Sequence, residues 1–158
     1  MTVPGGSMPP ISRFQYAPRV DHRMFVLLDP RSRPTPQDEG LPEHDEILRA
    51  GQHGVVFRSG GDLFRPAVTI ERWTVDPGTA EGEWDEIAEA SLSAPSGRLR
   101  LRSIMGEPAG PDLEVEGAQR LRAHTRGRGE AMERLTVETD YAGVEEWLIQ
   151  LWPARASG

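Results

Sequence analysis

The stretch from Gln119 to Ala131, QRLRAHTRGRGEA, packs Arg120, Arg122, Arg126 and Arg128 around a single histidine, His124. Guanidinium groups in such density can hold phosphate or another oxyanion, because their planar N–H forks match two oxygens at once. The same order, R-x-R-x-H-x-R, is also what the solvent side of a β-strand shows, since residues two apart share a face. With Leu121, Ala123 and Thr125 on the opposite face, the alternation favours a solvated, partly paired strand face over an anion site. For Arg126-Gly127-Arg128-Gly129 two readings stay open. The glycines let backbone amides approach a ligand, and they also make a plain turn.

Carboxylates form the second group with chemical potential. Glu145-Glu146 and the run Glu81, Glu83, Asp85 and Glu86 could supply an acid and a base only if burial raised one pKa, and Trp84 is the one apolar neighbour of the run. They read as an exposed acidic surface on which a basic partner docks, with a hydrolase using Asp85 and Glu86 as a third-ranked alternative. His44, in PEHDE, is the histidine nearest to metal-ligand spacing, yet His22, His44, His53 and His124 are scattered and a solvated acidic loop explains that segment. There is no GxSxG elbow, Walker loop, dinucleotide glycine fingerprint or HExxH. No catalytic, cofactor or metal residue is therefore assigned, and an enzyme is not expected.

The chain that must position these groups has 158 residues, with 18 Lys+Arg against 25 Asp+Glu and a formal net charge of -7. That length suits one compact domain. That charge disfavours nucleic acid and anionic membrane as partners and favours a basic protein. All the cationic residues are arginine, and lysine, asparagine and cysteine are absent, as codon bias in a GC-rich genome produces. Without cysteine there is no disulfide or thiolate site, and a cytoplasmic location is the simplest expectation. The opening MTVPGGSMPPISR has no apolar stretch of signal or membrane-span length. Residues 1–12 are expected to form a loose tail, 13–153 a single domain, and 154–158 a second tail.

Apolar spacing is mostly two. Strands are expected at His22 to Leu28, Gly54 to Arg58 and Val68 to Val75, the last closed by the turn Asp76-Pro77-Gly78. Gly97 to Ile104 alternates Leu99 and Leu101 against Arg98, Arg100 and Arg102. Glu146 to Trp152 is apolar on both faces, which marks a central strand. If the Gly97 and Gln119 strands shared a sheet, their arginines would form a basic stripe, with Glu71, Glu138 and Asp140 as pairing partners. Leu41 to Ala50 carries helix punctuation, proline early and glycine just after. Glu83 to Leu92 fits either a helix or an edge strand. Asp29 to Gly40 reads as a polar, proline-rich loop. The sum is an all-β fold, an antiparallel β-sandwich with at most one or two short helices. Trp73, Trp84 and Trp147 are expected in the core, and Trp152, before Pro153, half exposed.

The segments PSGRLRL, RLRAHTRGRGEA and YAGVEEWLIQLWPA, between Gly97 and Ala154, resemble a family of small uncharacterised bacterial proteins that end in a similar "YLIQLWPA" strand. VTIERWTVDPG and EWDEIAEASL extend the resemblance more loosely, and it implies no activity. In size, acidity and strand succession the chain is also similar in form to the competence protein J type of nuclease inhibitor. The functional expectation is a non-enzymatic binding protein, an acidic inhibitor or immunity-like partner of a basic toxin or nuclease. The alternative is a β-sandwich module in which Trp152 and the Arg126 to Gly129 loop surround a small anionic or carbohydrate ligand.

Overall fold

In the computed structural model, which describes residues 9–134 and 142–154, alternating inward and outward residues build two five-stranded sheets packed face to face. In chain order the strands are β1 (Ser12–Tyr16), β2 (Met24–Leu28), β3 (Leu48–Gly51), β4 (Gly54–Arg58), β5 (Arg65–Arg72), β6 (Glu86–Ala94), β7 (Arg98–Ser103), β8 (Leu113–Glu114), β9 (Gly117–Arg126) and β10 (Ala142–Pro153). Two short helices, α1 (Pro36–Glu39) and α2 (Arg128–Arg134), complete the described elements. The first sheet has the order β1-β5-β10-β9-β6 and the second β3-β4-β2-β7-β8. Every pairing between these strands is antiparallel except that of β10 with β5. The fold is an all-β sandwich.

The period of two explains the core. Phe25, Leu27, Val55, Phe57, Leu99 and Leu101 point inward from the second sheet, and Val68, Ile70, Leu121, Trp147, Ile149 and Leu151 from the first. Phe25 and Phe57 stack with ring centroids 5.1 Å apart, and Trp147 meets both edge-on at 5.3 and 5.4 Å. Burying side chains of this size stabilises the fold by roughly 1.5–3 kcal/mol each. Trp147 is therefore a core residue, as its strand spacing indicates. β10 lies between β5 and β9, the central position that its two apolar faces imply.

Several expectations need correction. Leu41 to Ala50 is not helical: Leu48–Gly51 is β3, paired with β4. Ile47, just before it, is buried and accepts the Arg58 amide, so burial and pairing overrode a weak local helix preference. The helix falls earlier, inside the proline-rich loop, where Pro36 occupies its first turn and Asp38 accepts the Thr35 amide. Glu83 to Leu92 resolves as an edge strand, β6, starting at Glu86. His22 and Arg23 form a left-handed turn (φ 56° and 64°) and β2 begins at Met24. The basic stripe does not exist, because β7 and β9 belong to different sheets. Ser12 already pairs with Arg72, so the sheet begins within the segment expected to be a tail. Glu138 and Asp140 lie outside the described residues.

Candidate functional site

The segment joining β5 to β6, Trp73 to Asp85, folds back over the outer face of the first sheet. Its sharp bend follows from Asp76-Pro77-Gly78: Gly78 takes φ 79° and donates its amide to Asp76 Oδ1 at 2.8 Å. From there the strap is pinned to the sheet at three points. Gln150 Nε2 donates to Gly78 O at 3.0 Å, the Ala80 amide donates to His124 Nε2 at 3.0 Å, and Asp76 accepts from Arg122 at 2.8 and 3.2 Å.

This cover changes the status of the arginine-rich face of β9. Arg122 is 6% exposed and His124 is fully buried. His124 Nδ1 donates to Leu148 O while Nε2 accepts from Ala80, which fixes a neutral tautomer. Burial accordingly holds the imidazole below its ordinary value, and the nearby Arg122 guanidinium pushes the same way. Arg122 grips Asp76, Glu89 and Gln150. Asp76, bound to Arg122, is held below the usual carboxylate range. The residues that suggested a phosphate grip are occupied by the chain's own acceptors. Glu71, offered by sequence as a partner for the stripe, bonds Arg13 and Trp73 Nε1 instead.

Between strap and sheet lies an open cleft of about 600 Å³. Arg13, Glu71 and Trp73 form one side, and Trp84, Arg126 and Glu146 the other. Arg126 pairs with Glu146 at 3.0 Å and sits 4.8 Å from the Trp84 ring centroid. The Trp84 ring also tilts against His124, 5.3 Å between centroids. Its Nε1 is buried beside Gly82 without a hydrogen-bond partner among the described residues. Trp73 and Trp84 are thus half-buried cleft walls, not core residues.

The acidic run divides in two. Glu81, which lines the cleft, and Glu83 are exposed and have no ion-pair partner among the described residues. Asp85 accepts the Gly127 amide at 2.9 Å, and Glu86 pairs with Arg128 at 2.8 Å. The run and the Arg126 to Gly129 segment, far apart in sequence, therefore meet. Gly127 (φ 87°) turns the chain there and α2 follows, a helix that the sequence reading took for loop. Trp152 is corrected too: it is 7% exposed, and Arg122 covers its ring. On β9 its register partner is Arg120, whereas that of Glu146 is Arg126, so roughly 20 Å of strand separates Trp152 from the Arg126 loop. One ligand of sugar size does not span both.

A second buried acid lies between the sheets. Glu145 is fully buried and accepts from Ser59 Oγ at 3.0 Å, the Gly60 amide at 2.8 Å and Trp147 Nε1 at 2.6 Å. Burial pushes its carboxyl up, against the pull of those three donors. It ties the Ser59 to Gly61 turn to β10, and nothing opens onto it from the cleft lining. Glu145 and Glu146 do not act as a pair: one faces the interior, the other the cleft. Among the described residues no group of three or more His, Asp or Glu side chains could hold a metal ion, and no helix is long and apolar enough to cross a membrane.

The sandwich fold recurs in known structures. No family model matches this chain and no curated protein matches it in sequence, so the resemblance of its C-terminal block to an uncharacterised bacterial family finds no support. The fold is similar to that of ComJ, the inhibitor of the DNA-degrading activity of NucA from Bacillus subtilis. The TM-score is 0.60 at 10% identity, covering 94% of this chain and 100% of that one. It is also similar to the crocagin biosynthetic gene J product, with a TM-score of 0.56 at 15% identity over 91% of this chain and 97% of that one. At such identities the likeness is one of fold.

Proposed function

We propose that this is a non-enzymatic binding protein of the cytoplasm that inhibits, or gives immunity against, a basic nuclease or toxin, and that the strap and its cleft form the contact surface. One observation carries the reading: the strap holds Glu81 and Glu83 exposed and unpaired beside a cleft walled by two indoles. Rim carboxylates steer a basic partner into encounter, and half-buried tryptophans supply the anchors that hold it. The acidic balance of the chain and its ComJ-like fold support the same reading. Asp85, Glu86 and Arg128 serve as the frame behind this surface, with Arg126 positioning Trp84.

The test is capture on immobilised protein from the native host at low salt, followed by an activity assay of what is captured. A basic protein that elutes as salt rises, and whose activity falls when the soluble protein is added in excess, is expected. Recovery of no basic protein would sink the proposal.

The second reading, a small anionic or carbohydrate ligand, is favoured by the Trp84 ring and the Arg126 guanidinium on the cleft wall. A saturable rise in melting temperature with such a ligand would select it over the first.

A further inference from the structure

The second sheet carries a different electrostatic arrangement. Arg98, Arg100 and Arg102 alternate with the buried Leu99 and Leu101, so their guanidinium groups stand on its outer face. Beside them the turn after β2 brings Pro30 and Arg31, and the turn that carries the chain from β6 in one sheet to β7 in the other brings Ser96. Together with Asp112 these line a cleft of about 480 Å³. A single buried carboxylate joins its two lips: Asp29 accepts the Arg31 amide at 2.8 Å and the Ser96 amide at 2.8 Å. Those two hydrogen bonds hold Asp29 ionised despite its burial, so the lips are fixed before any ligand arrives.

Of the three guanidinium groups in this cleft, one is closely paired. Arg100 closes a two-pronged fork on Asp112, at 2.9 and 3.1 Å, and accounts for that carboxylate. Arg98 reaches Glu114 only at 4.0 Å, with both side chains more than half exposed. The Arg31 guanidinium meets no carboxylate among the described residues. Next to the cleft, Arg102 bonds only the carbonyl oxygens of Ser103 and Ile104. Burial pushes its pKa down, and the neighbouring Arg100 and Arg33 act in the same direction. The chain has an excess of acids, and Arg122 and Arg126 on the opposite sheet and Arg128 at the start of α2 are all matched with them. Here, by contrast, Asp29 is spent on two backbone amides and Asp112 on Arg100, which leaves the guanidinium groups of Arg31 and Arg98 without a close carboxylate.

We propose that the cleft between the Pro30-Arg31 turn and the β6–β7 turn is an oxyanion site that takes a phosphate group, held by the guanidinium groups of Arg31 and Arg98. Two charges without a close carboxylate match a dianion, and the planar forks match its oxygens. The site is separate from the strap and does not depend on the inhibitor reading.

The test follows melting temperature against inorganic phosphate, with chloride at matched ionic strength as reference. A saturable rise with phosphate is expected, weakened about tenfold or more in the double variant Arg31→Gln, Arg98→Gln and unchanged in Arg120→Gln on the other sheet. If the glutamine variant lacks a cooperative melt in chloride, Arg31→Lys with Arg98→Lys replaces it; lysine keeps the charge and loses the fork, and weaker phosphate binding is again expected. No saturable shift in the natural protein, or an equal shift in the Arg31, Arg98 double variants, overturns the proposal. Titration with adenosine monophosphate separates the sources: equal affinity supports a site for the phosphate alone, tighter affinity one that also reads its carrier.

Discussion

Arg122 lies 4.9 Å from the ring centroid of Trp152 and turns all five of its N–H groups onto acceptors of its own chain. Nε donates to Glu89, Nη1 to Asp76 and Gln150, and Nη2 to Asp76 and Glu89. The indole below and the strap above exclude water from the guanidinium. The pair thereby fixes the strap to the sheet, and Asp76 holds Arg122 still more firmly protonated.

Arg122→Ala should therefore destabilise the protein far more than a surface arginine would. Asp76 and Glu89 are about half exposed, which limits the penalty of leaving them unpaired, so a loss of about 2–3 kcal/mol in urea unfolding is expected. Arg98→Ala, at an exposed pair, should cost less than about 1 kcal/mol. Equal losses for the two would contradict the network.

Backbone approaches at the back of the cleft frame give a second contrast. A Cβ on Gly60 would stand 2.0 Å from Arg128 O, and one on Gly127 would stand 2.3 Å from Val144 O at a φ of 87°. Gly60→Ala and Gly127→Ala are expected to lose at least about 2 kcal/mol each. Gly129, within α2, has open space around it and an ordinary φ, so Gly129→Ala should range from neutral to a gain of about 1 kcal/mol. Denaturant melts of the three variants decide this directly.

His124 gives the protein a pH dependence of definite sign. Its folded pKa lies below the ordinary 6.5, so under acidic conditions the unfolded chain takes up a proton that the folded chain refuses. The contribution to stability is complete above pH 6.5 and is lost as pH falls from there through the folded pKa. Proton NMR should show His124 titrating below the ordinary imidazole value. An imidazole at or above 6.5 would mean that the strap does not seal it.

Much of the sandwich was legible because alternation reports burial directly. Leu99 and Leu101 against Arg98, Arg100 and Arg102 gave β7, and the doubly apolar β10 announced its central place. The site was legible only in fragments. Glu81 to Glu86 and Arg126 to Arg128 were each visible as charge clusters, but their meeting depends on sheet order, which period alone does not set. The same limit hid the burial of Arg122, His124 and Trp152: a period of two says which face a residue occupies, and the strap decides whether that face is wet. Trp84 among four acids was the available clue that a tryptophan stood at a surface rather than in the core. Ile47 misled in the opposite direction, since its tertiary pairing outweighed the helix punctuation around it.

The central claim is that Glu81 and Glu83 on the strap draw in a basic partner. It is tested most directly by the association rate of the captured partner with Glu81→Lys, Glu83→Lys protein, against Glu114→Lys on the remote edge strand as control. The expected result is an on-rate about tenfold or more lower at low salt for the strap variant, closing toward the natural protein near ~0.5 M salt, with the control close to unchanged. Equal on-rates for the strap variant and the natural protein would contradict it.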